Sequence, residues 1–183
     1  MSVQTNKKKF YIIKLDECKY IGKNDDSSTY LMKDNTVVKI YQDPYKCKRD
    51  YTLLTTTDLI HVVPKTYNFC GHYIIREYVK GSSLKKYVMK NGLNNFIALK
   101  LIKFLEKIYN YNIRNLNVNS GYIFITSTND FILIDAEYSD CSENNFEKLF
   151  MDFNDLTILN KFQTATKKYN NNLYNKWFAN KKA

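Results

Sequence analysis

Residues Ile74 to Val88 read IIREYVKGSSLKKYV. The first six carry β-favouring side chains around one charged pair, the mark of a half-buried strand. Gly81 and two serines then break that strand, and a short helical piece follows as far as Gly92. A strand that ends in a glycine turn and hands over to a helix is a natural boundary. We expect residues 1–80 to form a β-rich first part and residues 81–183 a mostly helical second part of one domain.

Upstream of this stretch, FYIIK, CKYIG, TYLMK and TVVKIY follow one another between Phe10 and Tyr41, separated by polar turns such as KNDDSS and KDN. Such alternation predicts antiparallel hairpins. Asp43 to Thr57, with a proline near its start and Tyr45, Cys47, Tyr51 and Leu54 along it, predicts a single helix. HVVPKTYNF and HYIIREYV return to strand patterning. Downstream, NNFIALKLIKFLEKIYNYN places Ala98, Leu101, Ile102, Leu105, Ile108 and Tyr109 on one helical stripe. YIFI (Tyr122 to Ile125) and FILI (Phe131 to Ile134) flank TSTND and predict a hairpin. An amphipathic helical region spans Asn145 to Phe162, and the Asn/Lys/Tyr-rich tail beyond it is expected to fray. The fold class is α+β.

Hydrophobic residues make up 44% of the 183 and aromatics 15%, which excludes a disordered chain. With only 5 glycines, a densely glycine-rich loop has little material. The net charge of +10 admits a nucleic-acid partner, but the lysines are scattered, and Tyr109, Tyr111 and Tyr122, which could stack on bases, fit core positions better. Cys18, Cys47, Cys70 and Cys141 stand far apart, with a spacing that suits neither a zinc site nor a disulfide framework. The apolar run Phe10 to Ile13 is too short for a signal core or a membrane span. A cytoplasmic setting follows, a host cytoplasm if the protein is viral or an effector.

A β-meander, one helix, two strands, a connector, a long helix, a loop and a hairpin ending in Asp: this order resembles the protein-kinase fold. The short chain, with 183 − 135 = 48 residues after Asp135, resembles its reduced, RIO-like or small-kinase-like forms. The resemblance implies a two-lobed fold with a β-rich N-lobe and a truncated, mostly helical C-lobe. It also assigns roles residue by residue. Lys39, in VVKIY, stands at the phosphate-binding lysine, and Asp50, 50 − 39 = 11 residues on, at the acid that holds it. Gly22 opens the stretch GKNDDSSTY at the phosphate-covering loop, although GxGxxG is absent and Asp25 and Asp26 would repel phosphate. Glu77, Tyr78 and Val79 stand at the hinge, where backbone groups meet an adenine ring.

In the family's catalytic loop, HRDLxxxN, the Asp takes the acceptor's proton and the Asn holds magnesium. This chain reads IRNLNVNSGYIFIT, so Ile113 replaces His, Asn115 the Asp, and Ser120 falls at the metal Asn. A small insertion would instead bring Asn117 or Asn119 to the metal, and the spacing leaves these registers open. ILIDAE resembles the DFG stretch, with Asp135 retained as a magnesium ligand. Asp152 or Asp155 would brace the loop from the following helix.

An amide cannot accept a proton at neutral pH, and acid–base help is worth about 10²–10⁴-fold. The altered base, loop glycines and metal Asn point to a pseudokinase or nucleotide-binding scaffold. It would use ATP and Mg2+ where the site functions and act through a protein partner, a kinase or kinase substrate. The alternative is a weakly active ATP-dependent kinase with Asn115 beside the acceptor. A basic nucleic-acid-binding domain is the third reading.

Overall fold

Three strands open the chain, β1 (Lys19–Asn24), β2 (Ser27–Leu31) and β3 (Thr36–Tyr41), and their turns are set by short polar side chains. Asn24 Oδ1 accepts the Asp26 N–H at 3.2 Å and the Ser27 hydroxyl at 2.6 Å, which closes the β1–β2 turn. Asn35 takes φ 59° between β2 and β3, a left-handed conformation that Asn tolerates. The computed structural model describes residues 13–111, 116–135, 137–138 and 146–179. Of the stretch FYIIK, Phe10 to Ile12 lie outside that range, and Ile13 and Lys14 lead into a 3-10 turn, Leu15–Glu17.

Helix α1 (Pro44–Thr57) follows β3. Asp43 caps it, Oδ1 accepting the Tyr45 N–H at 2.8 Å, and a proline at the first helical position needs no donor partner. Strands β4 (Thr66–Cys70) and β5 (Tyr73–Glu77) complete a five-stranded antiparallel sheet in the order β1-β2-β3-β5-β4. Cys47, Tyr51 and Leu54 of α1 pack on Tyr41, Ile74 and Phe69 of that sheet, and the Tyr51 and Phe69 rings stack at 4.4 Å. These elements make one compact unit, Met1–Thr56 with Lys65–Tyr78; Thr57–Pro64 with Val79–Ala183 make a second.

In the second unit Gly81 does not break a strand but belongs to one. Strand β6 (Gly81–Ser83) pairs with β8 (Ile123–Thr126), which pairs with β9 (Phe131–Leu133). A Cβ at position 81 would fall 2.4 Å from the Ile125 carbonyl oxygen, so only glycine permits this approach. Helix α2 (Leu84–Asn91) is capped by Ser83, and α3 (Asn95–Asn110) by Asn94, whose Oδ1 accepts the Ile97 N–H at 2.9 Å. The predicted stripe is the buried one: Ala98, Leu101, Ile102, Leu105 and Ile108 are all sealed from solvent. Strand β7 (Leu116–Asn117) pairs with β10 (Glu137–Tyr138).

The amphipathic region beyond is two helices, α4 (Glu147–Asp155) and α5 (Leu159–Tyr169), broken where Thr157 adopts φ 57°. Among the described residues the tail, expected to fray, is helical as far as Ala179. Helix α6 (Asn171–Tyr174) and a π-helical turn (Asn175–Ala179) bury Leu173 and Trp177. Trp177 is enclosed by Phe146 at 5.5 Å, Tyr109 at 6.3 Å and Phe162 at 6.5 Å. The large rings pin the segment despite its polar neighbours. The architecture is α+β, an antiparallel five-stranded sheet with one helix followed by a mostly helical part. No helix among the described residues is long and apolar enough to cross a membrane.

Candidate functional site

Lys39 lies mid-strand in β3, opposite Thr29 of β2 and Ile74 of β5. Residues 42 and 43 turn the chain back so that α1 covers the same sheet face. Asp50 thereby reaches Lys39 across only eleven residues. Nζ stands 3.6 Å from Oδ2, and the two side chains are 5% and 12% exposed. The ammonium also stands 5.0 Å from the centre of the Tyr41 ring, two residues along the strand and so on the same face. One turn before Asp50 on α1, the buried Cys47 thiol is pushed up to about 12 by burial, with the Asp50 carboxylate adding to the effect.

Gly22 belongs to strand β1, beside a bulge at Ile21, and not to a loop. The β1–β2 turn, at the place the resemblance gives to a phosphate-covering loop, is a tight one held by Asn24, because the Asx-type contacts close it within two residues. A Cβ at position 22 would meet nothing within 4 Å, so packing does not require glycine there. Asp26, expected to repel phosphate, is ion-paired with Lys46 of α1. That contact spans 20 residues and left no mark in the sequence.

At the end of β5, the Glu77 N–H donates to the Lys65 carbonyl at 2.8 Å, and its Oε2 accepts the Lys65 N–H at 3.3 Å. The Glu77 amide is thus committed within the sheet. Tyr78, 37% exposed, ends the first unit and Val79 begins the second.

In the second unit, Asn115 lies outside the described residues. Asn119 and Ser120 are both buried. Asn119 Oδ1 accepts the N–H groups of Gly121 and Tyr122 at 2.9 and 3.2 Å, which uses both lone pairs of that oxygen. The Ser120 N–H and hydroxyl both donate to Asp152 Oδ2, at 2.8 and 2.6 Å. Of the two acids considered as braces, Asp152 therefore holds the loop while Asp155 is exposed. Asp135 lies two residues beyond the end of β9 and is half-buried. The Ile134 N–H donates to the Tyr122 carbonyl at 2.9 Å, and the pairing of Glu137 with Asn117 runs the next residues alongside the loop strand. One unit thus brings together the backbone flanking Asp135 and the segment that follows position 115.

For a nucleotide and its metal, Lys39 offers a held ammonium to phosphate and Asp135 a carboxylate to magnesium. Each unit offers its group by itself, and a lone carboxylate suits Mg2+, which commonly takes one or two protein carboxylates and fills its other positions with water and phosphate.

No protein-family model matches the chain, and no curated protein matches it. Among solved structures, it is similar to a ternary complex of the aminoglycoside phosphotransferase APH(2")-IIa with streptomycin and ATP. The identity is 22% and the TM-score 0.45, over 54% of this chain and 36% of that one. The match thus spans little more than a third of that enzyme's chain.

Proposed function

We propose that this chain is a nucleotide-binding scaffold of the kinase fold, a pseudokinase that acts through a protein partner. The observation that carries the reading is the buried Lys39–Asp50 pair. Taking two charges out of water costs several kcal/mol per ion, and apolar side chains of similar size would hold the helix at least as well. A lysine held in one orientation on a strand is what a phosphate group needs.

When bound, ATP with Mg2+ supplies a transferable phosphoryl group and its charge. Lys39 would neutralise phosphate oxygens, Asp50 would fix the ammonium, and Asp135 would hold the metal. Asn119 and Ser120 serve as positioning residues of the loop, since their polar atoms already bind Gly121, Tyr122 and Asp152. Asn115 can hydrogen-bond an acceptor hydroxyl but cannot take its proton. The tight β1–β2 turn, in place of a glycine-rich cover, is a further reason to favour binding over turnover. A kinase or kinase substrate is the partner this reading expects. The free thiols of Cys18, Cys47 and Cys70 support a reducing, cytoplasmic setting.

The retained Asp135 favours a second reading, a weakly active kinase. Radiolabelled transfer from ATP to the protein itself and to generic acceptors separates the two. The scaffold reading expects Mg2+-dependent ATP binding with turnover at least about 100-fold below the usual ~1–100 per second. Asp135-dependent transfer at ordinary kinase rates would replace it by the enzyme reading, and failure to bind ATP would end both.

A further inference from the structure

We infer that the second unit carries a face that binds single-stranded nucleic acid, formed by the C-terminal half of α3 and residues 167–176. Every exposed residue from 103 to 110 and from 167 to 176 is Lys, Tyr or Asn. That set offers cations to phosphates, rings to bases and amides to base edges.

The segments meet in space. The Tyr169 hydroxyl donates to Glu106 on α3 at 3.0 Å, and Lys176 stands 5.8 Å from the centre of the Tyr109 ring, one helical turn further along α3. Tyr109 is 37% and Tyr169 39% exposed, so Tyr109 is not the core residue its apolar stripe predicts. Residues 103–110 and 167–176 together hold five lysines and one acid, Glu106, a net 5 − 1 = +4 against +10 for the whole chain. That single carboxylate is covered by the Tyr169 hydroxyl. Charge that looks scattered along the sequence is therefore gathered on one set of elements. The inference does not rest on nucleotide binding at the Lys39 site.

The test is fluorescence anisotropy of a labelled oligo-uridine of about 20 nucleotides, with the intact chain, across a salt series, and with oligo-thymidine and heparin as comparison probes. Binding to either oligonucleotide should weaken linearly with log salt, with a slope of about 0.7 per phosphate contacted. Lys168→Glu with Lys176→Glu should weaken binding at least about tenfold and reduce the slope by about 1.4. Tyr169→Leu should weaken it by about fivefold or more while Tyr169→Phe keeps it. Lys19→Glu with Lys23→Glu, the same charge change on exposed residues of β1, should leave it within about twofold. If the glutamate pair does not fold, judged by its unfolding midpoint, Lys168→Gln with Lys176→Gln should still weaken binding. No binding at about 50 mM salt would overturn the inference. So would equal loss on reversing Lys19 and Lys23, or tight heparin binding with no effect of Tyr169→Leu, which would make the face a general polyanion or acidic-protein contact.

Discussion

At position 39 a buried lysine stands against the Asp50 carboxylate, and that counter-ion decides whether it can stay there. Asp50→Asn removes the carboxylate 3.6 Å away and should cost about 3 kcal/mol in urea unfolding, since breaking a buried pair from one side is the expensive change. Lys39→Met combined with Asp50→Leu should cost much less than that single change. Beside them, Cys47 gives a pH signature. Its thiol is neutral when protonated, and its folded pKa, pushed up to about 12, lies above the ordinary value of about 8.5. The resulting stabilisation is complete below pH ~8.5 and lost as pH rises through ~12. The stability gap between wild type and Cys47→Ala, measured by urea unfolding, should therefore narrow over that window. The pairing of Lys39 with Asp50 was implied by the resemblance of VVKIY and the helix after it to the kinase pattern, and the two side chains do meet. The roles of Asn119 and Ser120 were not legible. A side chain that closes its own turn, or binds an aspartate 32 residues away, follows no period.

Helices and strands were legible wherever burial was periodic, and α3 is the clearest case. The failures came where one short-range feature overrode the pattern. GSS reads as a break, yet Gly81 is glycine because a neighbouring backbone lies where its Cβ would be. The run from Asn145 to Phe162 reads as one amphipathic helix, yet Thr157 interrupts it with a left-handed backbone that costs a β-branched residue roughly 1–2 kcal/mol. Thr157→Gly should relieve that strain and raise stability by about 1 kcal/mol in urea unfolding, because residue 157 is exposed and loses no packing. In the tail, polar composition hid two buried anchors. Trp177→Ala should destabilise by about 3–5 kcal/mol, whereas Lys176→Ala, next to it and exposed, should change stability by less than about 0.5 kcal/mol.

Across the whole molecule, the order of elements was legible because each short segment declares its own type and the turns between them leave little freedom. The distribution of charge was not, since helices separated in sequence by some 60 residues carry their lysines to one face only after folding. The central claim is that the chain binds ATP through Lys39 and a magnesium ion held by Asp135. Thermal unfolding of wild type, Lys39→Met and Asp135→Asn, each with and without ATP and Mg2+, tests it against every variant's own baseline. Ligand at about 100 times its dissociation constant adds ~2.7 kcal/mol, a rise of ~5–11 °C for a chain of this size. The account predicts that rise in wild type with both ATP and Mg2+, and its loss in both variants. No rise at millimolar ATP, or an equal rise in Lys39→Met, would contradict it.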